Sequence, residues 1–227
     1  MTRKGALEGL RVLDLTRVLA GPFCTMMFAD MGAEIIKIEQ AGTGDDTRQL
    51  GPFKEGESAY FMNLNRNKKG VTLNLKNPKG KAVFLDLVKK ADVVIENFRP
   101  GTMEKLGLGY EELKKVNPGI VYGAISGFGH TGRYSQKPGY DIISQAMSGL
   151  MSTTGWPGGE PTRTGTAMGD VLGGLSCAIG ILAAVYNKIQ TGEGQKVDVA
   201  LVDSAVASLE IINMIYLVEG RVPSRIG

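Results

Sequence analysis

The sequence predicts an open, mainly parallel α/β sheet of the doubly wound, Rossmann-like kind, with helices on both faces. Three observations carry this: short apolar runs recur along the whole chain, helix-like stretches alternate with them, and glycine- or proline-marked turns separate one from the next. With 43% hydrophobic and 22% charged residues in a chain of 227, the composition is that of a globular protein, and disordered or fibrous classes are excluded.

The first run, 11–15, reads as a buried strand, and Gly21-Pro22 opens a helix over 23–31, with proline at a favoured first-turn position. Gly32 ends that helix, and 33–39 reads as a second strand, completing a βαβ unit. Residues 40–50 form a polar loop. A strand at 71–75 then precedes Pro78 and a helix over 79–90, and 92–96 is the next strand. Helical stretches at 101–106 and 110–116 lead to a strand at 120–125, followed by a glycine-rich loop, 126–138. Helices at 140–150 and 171–189, a strand at 196–200 and a last helix over 202–219 complete the chain. There is no repeat and no linker-like stretch, so one domain over 1–227 is expected. In such sheets the ligand lies beyond the carboxyl ends of the strands, which directs attention to the loops after Leu15, Glu39, Glu96 and Ile125.

The formal charge of +3, from 26 basic and 23 acidic residues, is too balanced for nucleic-acid binding. Cys24 and Cys177 lie inside apolar segments and read as buried thiols, which predicts a cytoplasmic protein. No segment offers the ~18 uninterrupted apolar residues of a membrane span, and 172–186, the nearest approach, reads as a buried helix. The turn after the first strand, Thr16-Arg17-Val18-Leu19-Ala20-Gly21-Pro22, carries no G-x-G-x-x-G fingerprint. There is no Walker A sequence and no G-x-S-x-G elbow, and the one histidine, His130, reads as a solvated loop residue, so no metal site is expected. The chemistry is therefore left to carboxylates, hydroxyls and backbone amides.

Among the carboxylates Asp170 stands out, where the glycine-rich stretch 165–169 gives way to a helical pattern. A carboxylate at a helix start is held by unsatisfied N–H groups and the positive end of the helix dipole, which predicts that it stays ionised. Spacing alone allows an N-cap or a nucleophile, and capping is the commoner role. Gly169, Gly173 and Gly174 fit either a close substrate approach or tight helix packing.

Seven runs together resemble the class III CoA-transferases, the family of formyl-CoA transferase, carnitine-type CoA-transferases and α-methylacyl-CoA racemases. They are 10–16 with Ala20-Gly21-Pro22, 32–39, Asn65-Arg66-Asn67-Lys68-Lys69, 96–101, Pro138-Gly139-Tyr140-Asp141, 159–163 and Gly169-Asp170. The resemblance implies that Asp170 is the covalent nucleophile, passing through a mixed anhydride and an aspartyl-CoA thioester, with Tyr140 beside it. It implies CoA binding by Leu19 and Ala20, by a strand Leu73, Asn74, Leu75 and Lys76, by the turn Asn97, Phe98 and Arg99, and by Lys105. Acyl-CoA and a carboxylic acid are then the substrates, with no permanently bound cofactor, and the loops 40–60 and 127–138 set specificity. The racemases carry a histidine where this chain has Tyr140, and tyrosine is a poor base near neutrality, which favours transfer over racemisation. The family is longer, with a second domain and an interlocked homodimer, so a homodimer is expected, and the alternatives to transfer are an α-methylacyl-CoA racemase and a CoA-binding portion that lacks catalysis by itself.

Overall fold

A computed structural model describes residues 5–225. In chain order the elements are β1 (Arg11–Asp14), α1 (Ala20–Asp30), β2 (Glu34–Glu39), a 3-10 turn (Asp46–Gln49), the hairpin β3 (Phe53–Lys54) and β4 (Glu57–Ser58), α2 (Ala59–Asn65) and β5 (Lys68–Thr72). They continue with α3 (Pro78–Val88), β6 (Val93–Glu96), α4 (Thr102–Lys105), α5 (Tyr110–Val116), β7 (Val121–Ser126), α6 (Asp141–Ser148), α7 (Leu150–Thr153), α8 (Met168–Thr191), β8 (Lys196–Ala200), α9 (Leu201–Ala207) and α10 (Ile211–Glu219).

Six strands form one parallel sheet in the order β5-β2-β1-β6-β7-β8, with Val12 of β1 opposite Ile35 of β2 on one side and Val93 of β6 on the other. Counted along the sheet, this is the 3-2-1-4-5-6 order of Rossmann-type folds, whose strand order reverses at the first and fourth strands. The apolar runs are continuous because successive residues serve opposite faces. Val93 and Ile95 of β6 pack with Phe28, Cys177 and Ile181 under α1 and α8, whereas Val94 packs with Phe84, Leu113 and Tyr122 under α3 and α5. α8 spans 24 residues and is long and apolar enough to cross a membrane, yet it lies on the sheet, with Cys177, Ile181 and Ala184 buried.

Three expectations change. The strand expected at 71–75 lies earlier, because β5 pairs residues 68–72 with β2, and the charged run Lys68-Lys69 masked the pattern. The side chain of Lys68 is buried against Asp14, a tertiary contact that local periodicity does not register. The last helix is two: α9 and α10 meet at 80°, and Glu210 between them has φ 38°. The helix expected at 140–150 breaks at Gly149 in the left-handed region, leaving α6 and α7. The hairpin and α2 lie in a stretch with no predicted element.

Candidate active site

At the carboxyl end of β1, Asp14 is fully buried and accepts from the Thr16 N–H (2.8 Å), the Thr25 hydroxyl (2.6 Å) and Lys68 Nζ (3.1 Å). Burial alone would raise its pKa, but Lys68 and Lys37 hold the carboxyl well below the usual carboxylate range. Lys37 Nζ bridges the Thr16 carbonyl (2.8 Å) and Asp45 Oδ2 (2.9 Å), and Asp45 Oδ1 accepts the Val18 N–H at 3.2 Å. Buried charges are tolerated only in such hydrogen-bonded chains. This one fixes the loop 15–19 tightly enough to keep Val18 at φ 66°, a conformation that a β-branched residue adopts at a cost of about 1–3 kcal/mol.

The loop is clamped from the other side of the switch point. Asn97, just past β6, accepts the Arg17 N–H through Oδ1 (2.9 Å) and donates from Nδ2 to the Arg17 carbonyl (2.7 Å). The two strands whose ends diverge are thus tied together by one side chain, and a cleft opens between their loops.

Asp170 is the third residue of α8, in its first turn, and does not cap it: residue 167 stands at the N-cap position without a side-chain cap. Asp141 of α6 takes the donors instead, its Oδ1 accepting from the N–H groups of Gly169 (2.8 Å) and Asp170 (3.3 Å). The expectation that unsatisfied N–H groups at the helix start hold Asp170 ionised is therefore corrected. Burial, and then the neighbouring Asp141 carboxylate, push the Asp170 carboxyl up to about 7. Gly169 makes the arrangement possible, since a Cβ there would collide with the Ser144 hydroxyl and stand 3.1 Å from Asp141 Oδ1. Gly173 and Gly174 serve helix packing: a Cβ at 174 would stand 2.6 Å from the Ala20 carbonyl oxygen of α1, and one at 173 would run into Leu201.

Two adjoining cavities share Arg17, Asp46 and Phe98. The larger, about 540 Å³, is lined by Leu15, Ile38, Gln40, Leu73, Asn74, Leu75, Lys76 and Leu106, among others. The smaller, about 200 Å³, contains Leu19, Ala20, Asn97, Phe98, Arg99, Lys137, Tyr140 and Asp170. The cleft therefore runs from the loops after β2 and β5, over the switch point, to the start of α8. All the predicted site residues line it except Lys105, which is exposed at the end of α4 beside Leu106. Leu73–Lys76 is not strand but the loop beyond β5, with the Lys76 N–H donating to Asn74 Oδ1 at 3.0 Å. Tyr140, which lines the smaller cavity, is 75% exposed.

His130 is a further correction: its side chain is only 8% exposed and faces Glu96 rather than solvent. Two residues near Asp170 were missed. Asp141 caps a helix 28 residues away, which no local pattern reveals. Tyr60 stands at the start of α2, and burial together with the Asp170 and Asp45 charges raises its hydroxyl to about 12; the signal that could have found α2 is Ser58, whose hydroxyl accepts the Phe61 N–H as an N-cap.

Comparison with known proteins agrees with this architecture. The chain is 49% identical to an acetyl-CoA:oxalate CoA-transferase of Acetobacter aceti over 225 residues, covering 99% of this chain and 58% of that one. It is 47% identical to a succinyl-CoA:glutarate CoA-transferase of Mus musculus, covering 97% of this chain and 51% of the other. The chain thus spans somewhat more than half the length of these relatives. The crystal structure of a CAIB/BAIF family protein from Brucella suis superposes with a TM-score of 0.95 at 43% identity, over 99% of this chain and 61% of that one. The family model for CoA-transferase family III matches residues 7–227, and the chain, with the switch-point cleft and its half-buried aspartate, belongs to that family.

Proposed function

We propose that the chain carries the CoA-binding cleft and the nucleophile of an acyl-CoA:carboxylate CoA-transferase. The observation that carries this reading is the position of Asp170 at one end of an elongated cleft whose other end opens between Ile38, Leu73 and Leu75. Apolar walls there suit an adenine ring, and Lys76 and Arg99 are placed along the cleft as cations for phosphates. The pantetheine arm then passes the Arg17–Asn97 clamp and brings its thioester to Asp170.

In this reading the Asp170 carboxylate attacks the thioester carbonyl, the C–S bond breaks, and CoA leaves as thiolate from an acyl-aspartyl anhydride. The thiolate attacks the aspartyl carbonyl, forming an aspartyl-CoA thioester and releasing the donor acid as carboxylate. An incoming carboxylate repeats the two exchanges in reverse, so no proton is gained or lost. Protonated Asp170 cannot begin the sequence, and its pKa of about 7 places the onset of activity near neutral pH.

The two relatives above are named for oxalate and glutarate, both dicarboxylic acids. Lys137 and Arg99 in the smaller cavity supply cations for a second carboxylate, which supports a dicarboxylic acceptor here. The uncovered apolar side chains Ile179 and Ile189 of α8, and Leu217 and Val218 of α10, support a homodimer, and the two buried thiols a reducing, cytoplasmic setting.

Isotope exchange tests the reading. Succinyl-CoA incubated with 13C-succinate and the chain acquires label in the thioester if a covalent CoA-enzyme forms reversibly, and Asp170→Asn abolishes the exchange. Exchange that persists in Asp170→Asn contradicts it.

A further inference from the structure

β6 ends in a carboxylate that lies beneath the cleft. Glu96 is 1% exposed; its Oε2 accepts the Phe98 N–H at 2.7 Å, and its Oε1 accepts the Tyr122 hydroxyl at 3.2 Å. Oε1 also stands 3.6 Å from Nε2 of His130, which comes from the glycine-rich loop between β7 and α6. On the far side of the ring Nδ1 meets Lys196 Nζ of β8 at 3.1 Å, while Nε2 is buried with no hydrogen-bond partner among the described residues. Asp198, also on β8, accepts the His130 backbone N–H at 2.9 Å and so fixes the residue in place.

The chemistry of these groups settles the tautomer. An ammonium only donates, so Nδ1 must accept, and the proton of the neutral ring then sits on Nε2, facing Glu96. The gap exceeds a hydrogen bond by only a few tenths of an ångström. Three ionisable side chains from three segments therefore lead from the sheet edge to the carboxylate that holds the Phe98 amide.

We propose that Lys196, His130 and Glu96 form a buried relay that positions the turn Asn97–Phe98–Arg99, so that the protonation of Glu96 governs how firmly the cleft holds its ligand. The ligand arm of this proposal rests on the CoA reading above; the relay itself does not. Ionised Glu96 is a strong acceptor for the Phe98 N–H, whereas protonated Glu96 is a weak one and releases the turn whose Asn97 clamps Arg17. Burial raises Glu96 to about 7; Glu104 of α4 adds to the rise, and the hydrogen bonds from Phe98 and Tyr122, with the charge of Lys196, oppose it. Burial and then Lys196 lower His130, against the pull of Asp198 and Glu104, so near neutrality the imidazole stays uncharged and the carboxylate takes the proton.

Because the chain has one histidine, its 15N imidazole spectrum reports His130 alone. The relay predicts the Nε2–H tautomer at pH 8, converted to a mixture by Lys196→Met. It also predicts a Phe98 amide shift that titrates near neutral pH in the wild type and is flat in Glu96→Gln. An Nδ1–H tautomer, or a wild-type Phe98 amide indifferent to pH, overturns it, and both readings need only the wild-type chain should a variant fail to fold. In a second arm, CoA affinity measured by calorimetry falls about 10-fold from pH 8 to pH 6 in the wild type and less than about 2-fold in Glu96→Gln. The same pH response in both proteins overturns the coupling to ligand. If CoA fails to bind at any pH while the spectra behave as predicted, the CoA reading fails and the relay stands.

Discussion

Asp170 shows how a single position is set by residues remote in sequence. The glycine-rich approach and the helix pattern place it at the start of α8, and both are legible in the sequence. Its ionisation is not, because the N–H groups expected to hold the carboxylate are taken by Asp141 from another helix. The sign of the consequence is definite. A folded pKa of about 7 against the ordinary aspartate value of 3.8 means that the folded chain holds this proton more tightly than the unfolded chain. The associated stability is complete below the unfolded value and is lost as pH rises through about 7. Asp170→Asn, uncharged throughout, should therefore be more stable than the wild type at pH 8 by on the order of 2 kcal/mol, a value reduced because the side chain is only half-buried. Urea denaturation at pH 8 and pH 5 checks this, the difference shrinking at the lower pH. Asp14 behaves in the opposite sense. Its carboxyl is stabilised as the anion by Lys68 and Lys37, so Asp14→Ala leaves the buried Lys68 ammonium without its carboxylate, while Lys37 keeps Asp45, and should cost about 3–5 kcal/mol, read in the same experiment.

At the scale of elements, α6 and α8 meet through Gly169, where there is no room for a Cβ beside Ser144. Gly169→Ala should push the helices apart, destabilise the chain by about 1–3 kcal/mol and, on the proposed function, slow succinate exchange far more than it weakens CoA binding, since only Asp170, the proposed nucleophile, is displaced. The turn after β6 predicts the reverse. Asn97→Ala removes both hydrogen bonds to Arg17 and should weaken CoA affinity about 10-fold in calorimetry, at a stability cost of about 1–2 kcal/mol. Elements with strong local signals were legible: β1, β6 and β7 are mainly apolar runs, β2 and β8 intersperse charged with β-branched apolar residues, and α3 follows Pro78 with the Asn77 side chain capping it. β5, the β3–β4 hairpin and α2 were not. Their sequences are charged or short, and pairing with β2 and the burial of Lys68 against Asp14 determine where β5 lies. The break between α9 and α10 was equally invisible, because the run from 201 to 219 keeps a helical composition through Glu210.

For the molecule as a whole, the alternation of strand and helix was enough to predict a doubly wound parallel sheet, and its strand order puts the cleft at the β1–β6 switch point, where the family's motifs converge. Five of the seven runs that resemble CoA-transferases, distant from one another along the chain, contribute residues to the two adjoining cavities, which is the physical content of the resemblance; 65–69 and 159–163 lie outside them. The same motifs misplaced Leu73–Lys76 on a strand, when these residues must leave the sheet to reach the cleft. In the proposed reaction Asp170 exchanges a carboxylate oxygen for the sulfur of CoA. The most direct measurement is intact-protein mass spectrometry of the chain after incubation with succinyl-CoA, followed by hydroxylamine trapping and peptide mapping. The expected result is a CoA adduct that hydroxylamine converts to a hydroxamate at Asp170, forming faster as pH rises through about 7 and absent from Asp170→Asn. An adduct on another residue, or one retained in Asp170→Asn, would contradict it.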